Sequence, residues 1–371
     1  VIQPTVIARV ARVARVARVA RIAVVAVLAT LIAAGPARAE PRTVRVGWCA
    51  KTVSSAAAPF AIAQKLGWFD KAGIKVELVP LPGSTDCVKL VATKEVQVSL
   101  PSVEPLAIIR PQGVKAKFFY TAYQGNIYGI AVPADSPVKT MADLKGKRIG
   151  VTSMASAGVI VARALAKQAG LDPDKDISIV VAGESAQTAA LLRSKQVDAL
   201  SQFDTQYALA TAAGAQLRML DQPEIRKFPS NGFVALEDYL QANRADAIAL
   251  ARGYAMGTVF AIANPEAAIR ILWQVYPQTR SLGKDEATAL KDDLRTLDAR
   301  AKNWRYEPVD GKRWGDSVEK NYQVYVDWLI AQGVIKTRVE VKDLITNELL
   351  DEVNKFSPDA IAKEAKAYKA K

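Results

Sequence analysis

From Val44 to about Leu236 short apolar runs alternate with longer amphipathic stretches; beyond Gln241 the apolar spacing is helical throughout. Val44–Trp48 reads as a buried strand, Ala56–Leu66 as a helix and Lys75–Val79 as a strand reached through turns at Gly67 and Gly73. Pro59 falls in the first turn of that helix, where a missing N–H costs no hydrogen bond. A helix at Asp86–Ala92, a strand at Val96–Leu100, a short helix at Glu104–Arg110 and a strand at Lys117–Tyr123 complete a first set. Such alternation predicts a parallel sheet covered on both faces.

A second set repeats the grammar of the first. Ile127–Val132 leads into it and Met141–Gly146 makes a short helix. A strand at Arg148–Val151 then precedes a helix from Ser156 to Ala169 that Gly170 stops. Ile177–Val181, Ser185–Leu192, Val197–Leu200 and Gln206–Ala213 continue the alternation, and Phe233–Leu236 is expected to return to the first set. Val44-Arg45-Val46-Gly47-Trp48 is matched by Lys147-Arg148-Ile149-Gly150-Val151, and Thr93–Leu100 by Ser194–Ser201. Two α/β units of one grammar predict two lobes with a cleft between them, the place where a small molecule binds. In the helical remainder, Arg244–Ala263 and Pro265–Val275 are separated at Asn264-Pro265. Val318–Gln332 carries Tyr322, Tyr325, Trp328 and Leu329 as a core stripe. This tail is expected to pack on the first lobe.

Residues 1–39 read as a secretory signal. Arg9, Arg12, Arg15, Arg18 and Arg21 form a basic region, Ile22–Ala34 an apolar one too short to span a bilayer, and Ala37-Arg38-Ala39 a cleavage site. The expected organisation is a signal over 1–39, lobe 1 over 40–126, lobe 2 over 127–232, and a return to lobe 1 with a helical region over 233–371. The product is expected to be soluble, periplasmic and monomeric; no other long apolar run was found to suggest a membrane span, and Trp48 before Cys49 does not suit lipidation. Without the signal the formal charge falls from +13 to +7, with 44 Lys and Arg against 37 Asp and Glu. The excess is dispersed, so no nucleic-acid partner is expected. Histidine is absent. That removes imidazole acid–base chemistry, Ser-His and Cys-His nucleophile pairs and His-ligated zinc. No metal, no cofactor and no catalytic residue is expected.

In doubly wound sheets ligands sit at the carboxyl ends of strands. That rule selects Trp48, Ser54, Ser84, Asp86, Ser102, Glu104, Tyr123 and Gln124 in lobe 1, and Thr152, Ser153, Ser156, Glu184, Gln202, Phe203 and Asp204 in lobe 2. Competing roles are core packing for Trp48 and helix capping for Ser84, Ser102 and Ser153. Asp86 and Glu104 also suit a helix first turn. The acids lie beside Trp48, Tyr123 and Phe203, with Lys51 the nearest cation, which favours a nitrogen-containing or aromatic solute. Cys49 and Cys87 follow strands expected to be neighbours and are expected to form a disulfide in an oxidising compartment. A reactive thiol at Cys49 is the alternative.

Four segments carry a family resemblance. They are Pro59-Phe60-Ala61-Ile62-Ala63-Gln64-Lys65-Leu66-Gly67-Trp68-Phe69 with Gly73-Ile74-Lys75-Val76-Glu77-Leu78, Asp143-Leu144-Lys145-Gly146-Lys147-Arg148-Ile149-Gly150-Val151, Gln196-Val197-Asp198-Ala199, and Leu344-Ile345-Thr346-Asn347-Glu348-Leu349-Leu350. In this order they resemble periplasmic substrate-binding proteins of ABC importers, the nitrate, sulfonate and taurine branch that includes thiamine-precursor binders. The resemblance implies a type II two-lobe α/β fold, each lobe a central mixed sheet flanked by helices, with a helical C-terminal region. It implies a receptor that closes on a small molecule and presents it to an inner-membrane permease. Relatives that hold oxyanions use hydroxyls, backbone N–H groups and sometimes a cation, so a plain anion stays open. The enzymatic alternative is a lyase or desulfinase on the same scaffold. A similar desulfinase uses a cysteine in this part of the chain together with a histidine, and pyrimidine synthases of the family use a histidine with pyridoxal phosphate. This chain has no histidine. A sensory receptor on the same fold is a third reading.

Overall fold

The computed structural model describes residues 40–305 and 313–369; the expected signal and its cleavage after Ala39 lie outside them. β1 (Arg42–Trp48) buries Val44, Val46 and Trp48 and pairs in parallel with β2 (Ile74–Pro80) and β3 (Val98–Ser99). β4 (Ala116–Thr121) closes that sheet, whose order is β2-β1-β3-β10-β4, with β10 (Gly232–Leu236) antiparallel to its neighbours. The second sheet contains β5 (Tyr128–Pro133), β6 (Lys147–Val151), β7 (Ile177–Val181), β8 (Ala199–Phe203) and β9 (Leu217–Met219) in the order β7-β6-β8-β5-β9. β5 runs antiparallel to both β8 and β9. The sheets are therefore topological copies, and both are mixed. β/α alternation alone pointed to parallel sheets. It carries no information on the strand that arrives from the other lobe, and β5 and β10 are those strands.

The helices are α1 (Ala58–Lys65), α2 (Ser84–Ala92), α3 (Val103–Ile109), α4 (Ala157–Gln168), α5 (Ala186–Arg193), α6 (Asp204–Ala212), α7 (Arg244–Ala263), α8 (Pro265–Val275), α9 (Glu286–Trp304), α10 (Glu319–Ala331) and α11 (Pro358–Ala367), with shorter turns between them. The predicted strand Val96–Leu100 shrinks to β3, and the helix expected at Met141–Gly146 is a single 3-10 turn at Ala142–Leu144.

α7 packs on α1 and α11, and α8 packs on α1. Gly257 makes the first contact possible, since a Cβ there would collide with Pro59 backbone, 2.8 Å from its carbonyl carbon. Phe60, Phe233 and Tyr254 meet edge-on or tilted, with centroids 4.9–5.9 Å apart, between this layer and the first sheet. By length and a mean hydropathy of 1.2, α7 passes for a bilayer-crossing segment, against the expectation of no further long apolar run. Of its apolar 18-residue window 72% is buried inside the protein, the environment of a central core helix.

The tail does not serve the first lobe alone. α9 lies against α6 of the second lobe as well as α8. Its buried stripe of Ala289, Asp293, Thr296, Leu297, Arg300 and Trp304 includes charged groups that need partners, and they find them on both sides. Asp293 accepts from Ser55 Oγ (3.0 Å) and Trp273 Nε1 (2.7 Å), whereas Arg300 reaches Asp204. α10 also straddles the lobes: Tyr325 donates to Glu104 Oε1 (2.5 Å) and Trp328 Nε1 to Gln168 Oε1 (2.9 Å). The two connections between the sheets are bonded to each other. Ala122 and Tyr123 N–H both donate to Asn231 O at 3.0 Å, and Ser230 N–H donates to Tyr123 O at 3.0 Å.

Candidate functional site

β1, β3 and β8 end, and the antiparallel β5 begins, around one cleft, lined by Trp48, Cys49, Ala50, Ser54, Leu100, Tyr123, Ile127, Tyr128, Phe203, Thr205, Asn231 and Arg300. This is the position at which such sheets bind ligands. Trp48 closes β1 and its Nε1 donates to Thr52 O (2.9 Å), so its own loop holds the indole. Tyr128 meets Phe203 edge-on with centroids 5.9 Å apart. Burial raises the pKa of the Tyr123 and Tyr128 hydroxyls above the usual tyrosine value.

Arg300 is the cation of the site. Its side chain is 3% exposed and lies 4.0 Å over the Tyr123 ring. Nε and Nη2 donate to the Asp204 carboxylate at 2.6–3.2 Å, and Asn303 Nδ2 donates to Asp204 Oδ2 at 3.0 Å. Burial is the largest influence and by itself would lower the guanidinium pKa, but the Asp204 charge and hydrogen bonds together with the Tyr123 and Tyr254 hydroxyls outweigh it and raise the pKa. The ion pair therefore brings no net charge to the cleft.

The lobes meet across the cleft and leave about 30 Å3 of space inside it. Thr85 N–H donates to Ala155 O (3.1 Å), and Ser153 Oγ donates to Pro82 O (2.8 Å). Lys51 and Thr52 N–H donate to Glu184 Oε1 and Oε2 at 3.1 and 3.0 Å. A roomier hollow of about 490 Å3, bounded by Tyr207, Leu217, Met219 and Ala299, lies on another side of Tyr128 beside the edge strand β9. It is lined by the second sheet's elements and α9 with nothing from the first sheet, whereas strand ends of both sheets wall the cleft, which is the better candidate.

Of the residues selected from sequence, Trp48, Ser54, Tyr123 and Phe203 line the cleft. Asp204 adjoins it, committed to Arg300. Ser153 and Glu184 bridge the lobes through backbone groups. Ser84, Ser102 and Glu104 form a buried layer outside the lining. Ser84 does not cap α2, whose N-cap is Gly83; its Oγ accepts from Ser102 N–H (3.1 Å) instead. Ser102 stands at the N-cap of α3 without a side-chain cap bond. Burial pushes the Glu104 carboxyl pKa up, against the hydroxyls of Ser102 and Tyr325. Ser153 accepts from Ala155 N–H, a local turn, whereas Ser156 does cap α4, accepting from Gly158 N–H (3.1 Å). Gln124 donates to Thr121 O and Asp316 O, and Gln202 to Gly183 O and Thr188 Oγ1. Thr152 is buried and Asp86 half-buried in the first turn of α2, both outside the lining.

The expectation that Lys51 is the nearest cation is corrected by Arg300, which comes from α9. Strand-end reasoning does not reach a helix so distant in sequence. The available signal was an arginine at helical spacing from Asp293, Leu297 and Trp304. Tyr128, Thr205 and Asn231 were also missed; Tyr128 and Asn231 stand at the starts of antiparallel strands, which the parallel expectation put at the far end. Cys49 and Cys87 are joined, with Cα atoms 5.8 Å apart, tying the end of β1 to α2. Among the described residues no group of three or more His, Cys, Asp or Glu is placed to hold a metal ion.

The riboflavin-binding protein RibY of Chloroflexus aurantiacus is 22% identical over 304 residues, spanning 79% of this chain and 82% of RibY. The alkanesulfonate-binding protein SsuA from Xanthomonas axonopodis pv. citri, solved bound to MOPS, superposes with a TM-score of 0.62 at 20% identity, covering 83% of this chain and 99% of SsuA. The desulfurization enzyme DSZB superposes with a TM-score of 0.53 at 16% identity over 84% of this chain and 98% of its own. These likenesses show the fold, that of the periplasmic binding proteins that serve ABC importers. The model of the family described as NMT1/THI5 like matches residues 54–268, more than half of the sequence, and the chain belongs to that family.

Proposed function

We propose that this protein is an extracytoplasmic solute receptor that closes on a neutral, planar, nitrogen-containing aromatic molecule and delivers it to an ABC-type permease. The observation that carries this reading is an aromatic cleft whose one buried cation is already paired with an acid. Trp48, Tyr123, Tyr128 and Phe203 offer ring faces and edges, and Ser54, Thr205 and Asn231 offer neutral hydrogen-bonding groups. The name of RibY supports a nitrogen heterocycle, and that of SsuA supports the receptor role. On this reading residues 1–39 direct export and are removed after Ala39, 40–126 and 233–371 make one lobe, and 127–232 makes the other. The lobes part to admit solute, and contacts made to both lobes only in the closed form draw the population shut. The rival is a desulfinase-like enzyme, which the likeness to DSZB keeps in view. The disulfide counts against it, because it leaves no thiolate at Cys49 to act as nucleophile.

Native mass spectrometry of the chain from Glu40, followed by a thermal-shift screen of flavins, pyrimidines, aromatic acids, sulfonates and nitrate, tests this. A heterocycle that raises the melting temperature and is recovered unchanged supports the receptor. Consumption of a compound would replace it with the enzyme.

A further inference from the structure

Two places around this cleft have the chemistry to hold an oxyanion, and a carboxylate of the protein occupies each. The first is the pair of successive backbone N–H groups at Lys51 and Thr52. Successive N–H groups converging on one point form an anion-binding concavity. They belong to the loop between Trp48 and Ser54, both cleft-lining residues, so the concavity is at the rim. Glu184 fills it from the opposite lobe, one N–H to each carboxylate oxygen, at 3.1 and 3.0 Å. The second is the Arg300 guanidinium, which Asp204 engages through Nε and Nη2. That pairing leaves the interior of the cleft no uncompensated cation among its lining residues.

From this arrangement we infer that Glu184 is a specificity-determining residue: a built-in anion that occupies the oxyanion seat and so turns away sulfonates, nitrate and carboxylates. The inference rests on the receptor reading and adds to it the class of solute that is refused. A tethered carboxylate competes at an effective concentration of millimolar or more, with no loss of translational freedom when it docks. A free anion must displace it and then lie beside it, where like charges repel. A neutral ring, seated on Trp48 and Phe203, meets neither obstacle. Glu184 has a second effect on selection, because it grips the loop whose Thr52 carbonyl holds the Trp48 indole.

Chemical rescue tests the inference. Glu184→Ala removes a group the size of acetate and leaves the N–H pair open. Isothermal titration calorimetry at constant ionic strength, with sodium acetate and sodium methanesulfonate as probes, is run on the wild-type chain, Glu184→Ala and Glu184→Gln. The expected result is saturable binding of either anion to Glu184→Ala at least tenfold tighter than to wild type. Glu184→Gln blocks the seat by bulk but can accept only through Oε1, since its Nε2 only donates, and gains less than Glu184→Ala. A folded Glu184→Ala that binds neither probe overturns the inference, and so does a wild-type chain that binds them equally well. Glu184→Ser is read in the same way if the alanine variant does not purify folded. The receptor reading fails by a separate measurement, consumption of a compound in the wild-type screen, which leaves the anion gain of the variant intact as a result.

Discussion

Gly83→Ala separates closure from folding. The Gly83 backbone is extended, with φ 174° and ψ −177°, a conformation open to any residue, so alanine brings no local strain. Its Cβ, however, would overlap Ala155 O and stand 2.5 Å from Ala155 C and 2.7 Å from Ser156 N. Those are backbone atoms of the opposite lobe, and no rotamer change moves them aside. The methyl therefore disfavours the closed form alone. Relief by parting the lobes breaks the Thr85 N–H to Ala155 O and Ser153 Oγ to Pro82 O hydrogen bonds. At about 0.5–1.5 kcal/mol each, their loss amounts to about 1–3 kcal/mol, or about 5- to 150-fold in solute affinity. Calorimetry with the solute found by the screen measures the affinity, and small-angle scattering measures the radius of gyration, which rises. The melting temperature without solute changes little, because both lobe cores are untouched. Wild-type affinity with an unchanged radius of gyration would refute the argument that this contact belongs to the closed state.

The ion pair invites a double-mutant cycle. Asp204→Ala strands Arg300, 3% exposed, without a counter-charge and should cost about 3–5 kcal/mol in urea unfolding, whereas adding Arg300→Leu should recover part of the loss; strictly additive effects would sink the coupling. Glu104 sets a pH dependence. Its folded pKa lies above the ordinary 4.5, so its stabilising contribution is complete below that value and is lost as pH rises through the folded pKa. Wild-type urea midpoints should then fall relative to Glu104→Gln on going upward from pH 4.5, and parallel curves would contradict the burial argument. Replacing Cys49 and Cys87 together with serine removes a link across a separation of 38 residues and should lower stability by about 2–4 kcal/mol, with the loop-entropy relation giving the upper figure. A loss below about 1 kcal/mol would mean that the loops at the end of β1 and the start of α2 are held in the unfolded chain as well.

On the proposed reading, the pairing across the cleft sets the charge class of the solute without any change in the sheets. The strand-end loops bring backbone N–H groups and hydroxyls to the cleft in any case. Here Glu184 satisfies the Lys51 and Thr52 N–H groups and Asp204 the Arg300 guanidinium, so that on the proposed reading the aromatic lining is what remains for recognition.

Much of the architecture is legible in the order of residues, for a local reason. Strand alternation at Val44–Trp48, the Asn264-Pro265 break between two helices and the glycine stops after Ala169 and Ala213 depend on hydrogen bonds and burial within a few residues of chain. The loops that border the cleft follow by the same logic, since strand ends are read from the strands. Trp48 and Phe203 stand at the cleft wall because each ends a strand, and Tyr123 because it lies two residues past the end of β4. The charge character of the cleft was not legible in this way. Asp204 counts as a free acid until α9 folds against α6 and lowers Arg300 onto it, and Glu184 counts as a pocket acid until the lobes meet and the Lys51 and Thr52 N–H groups enclose it. Sequence determined which groups the chain carries to each strand end; only the tertiary structure decided which of them satisfy one another, because Coulombic and hydrogen-bond partners are set by distances that close across 132 residues at Glu184 and 96 at Arg300.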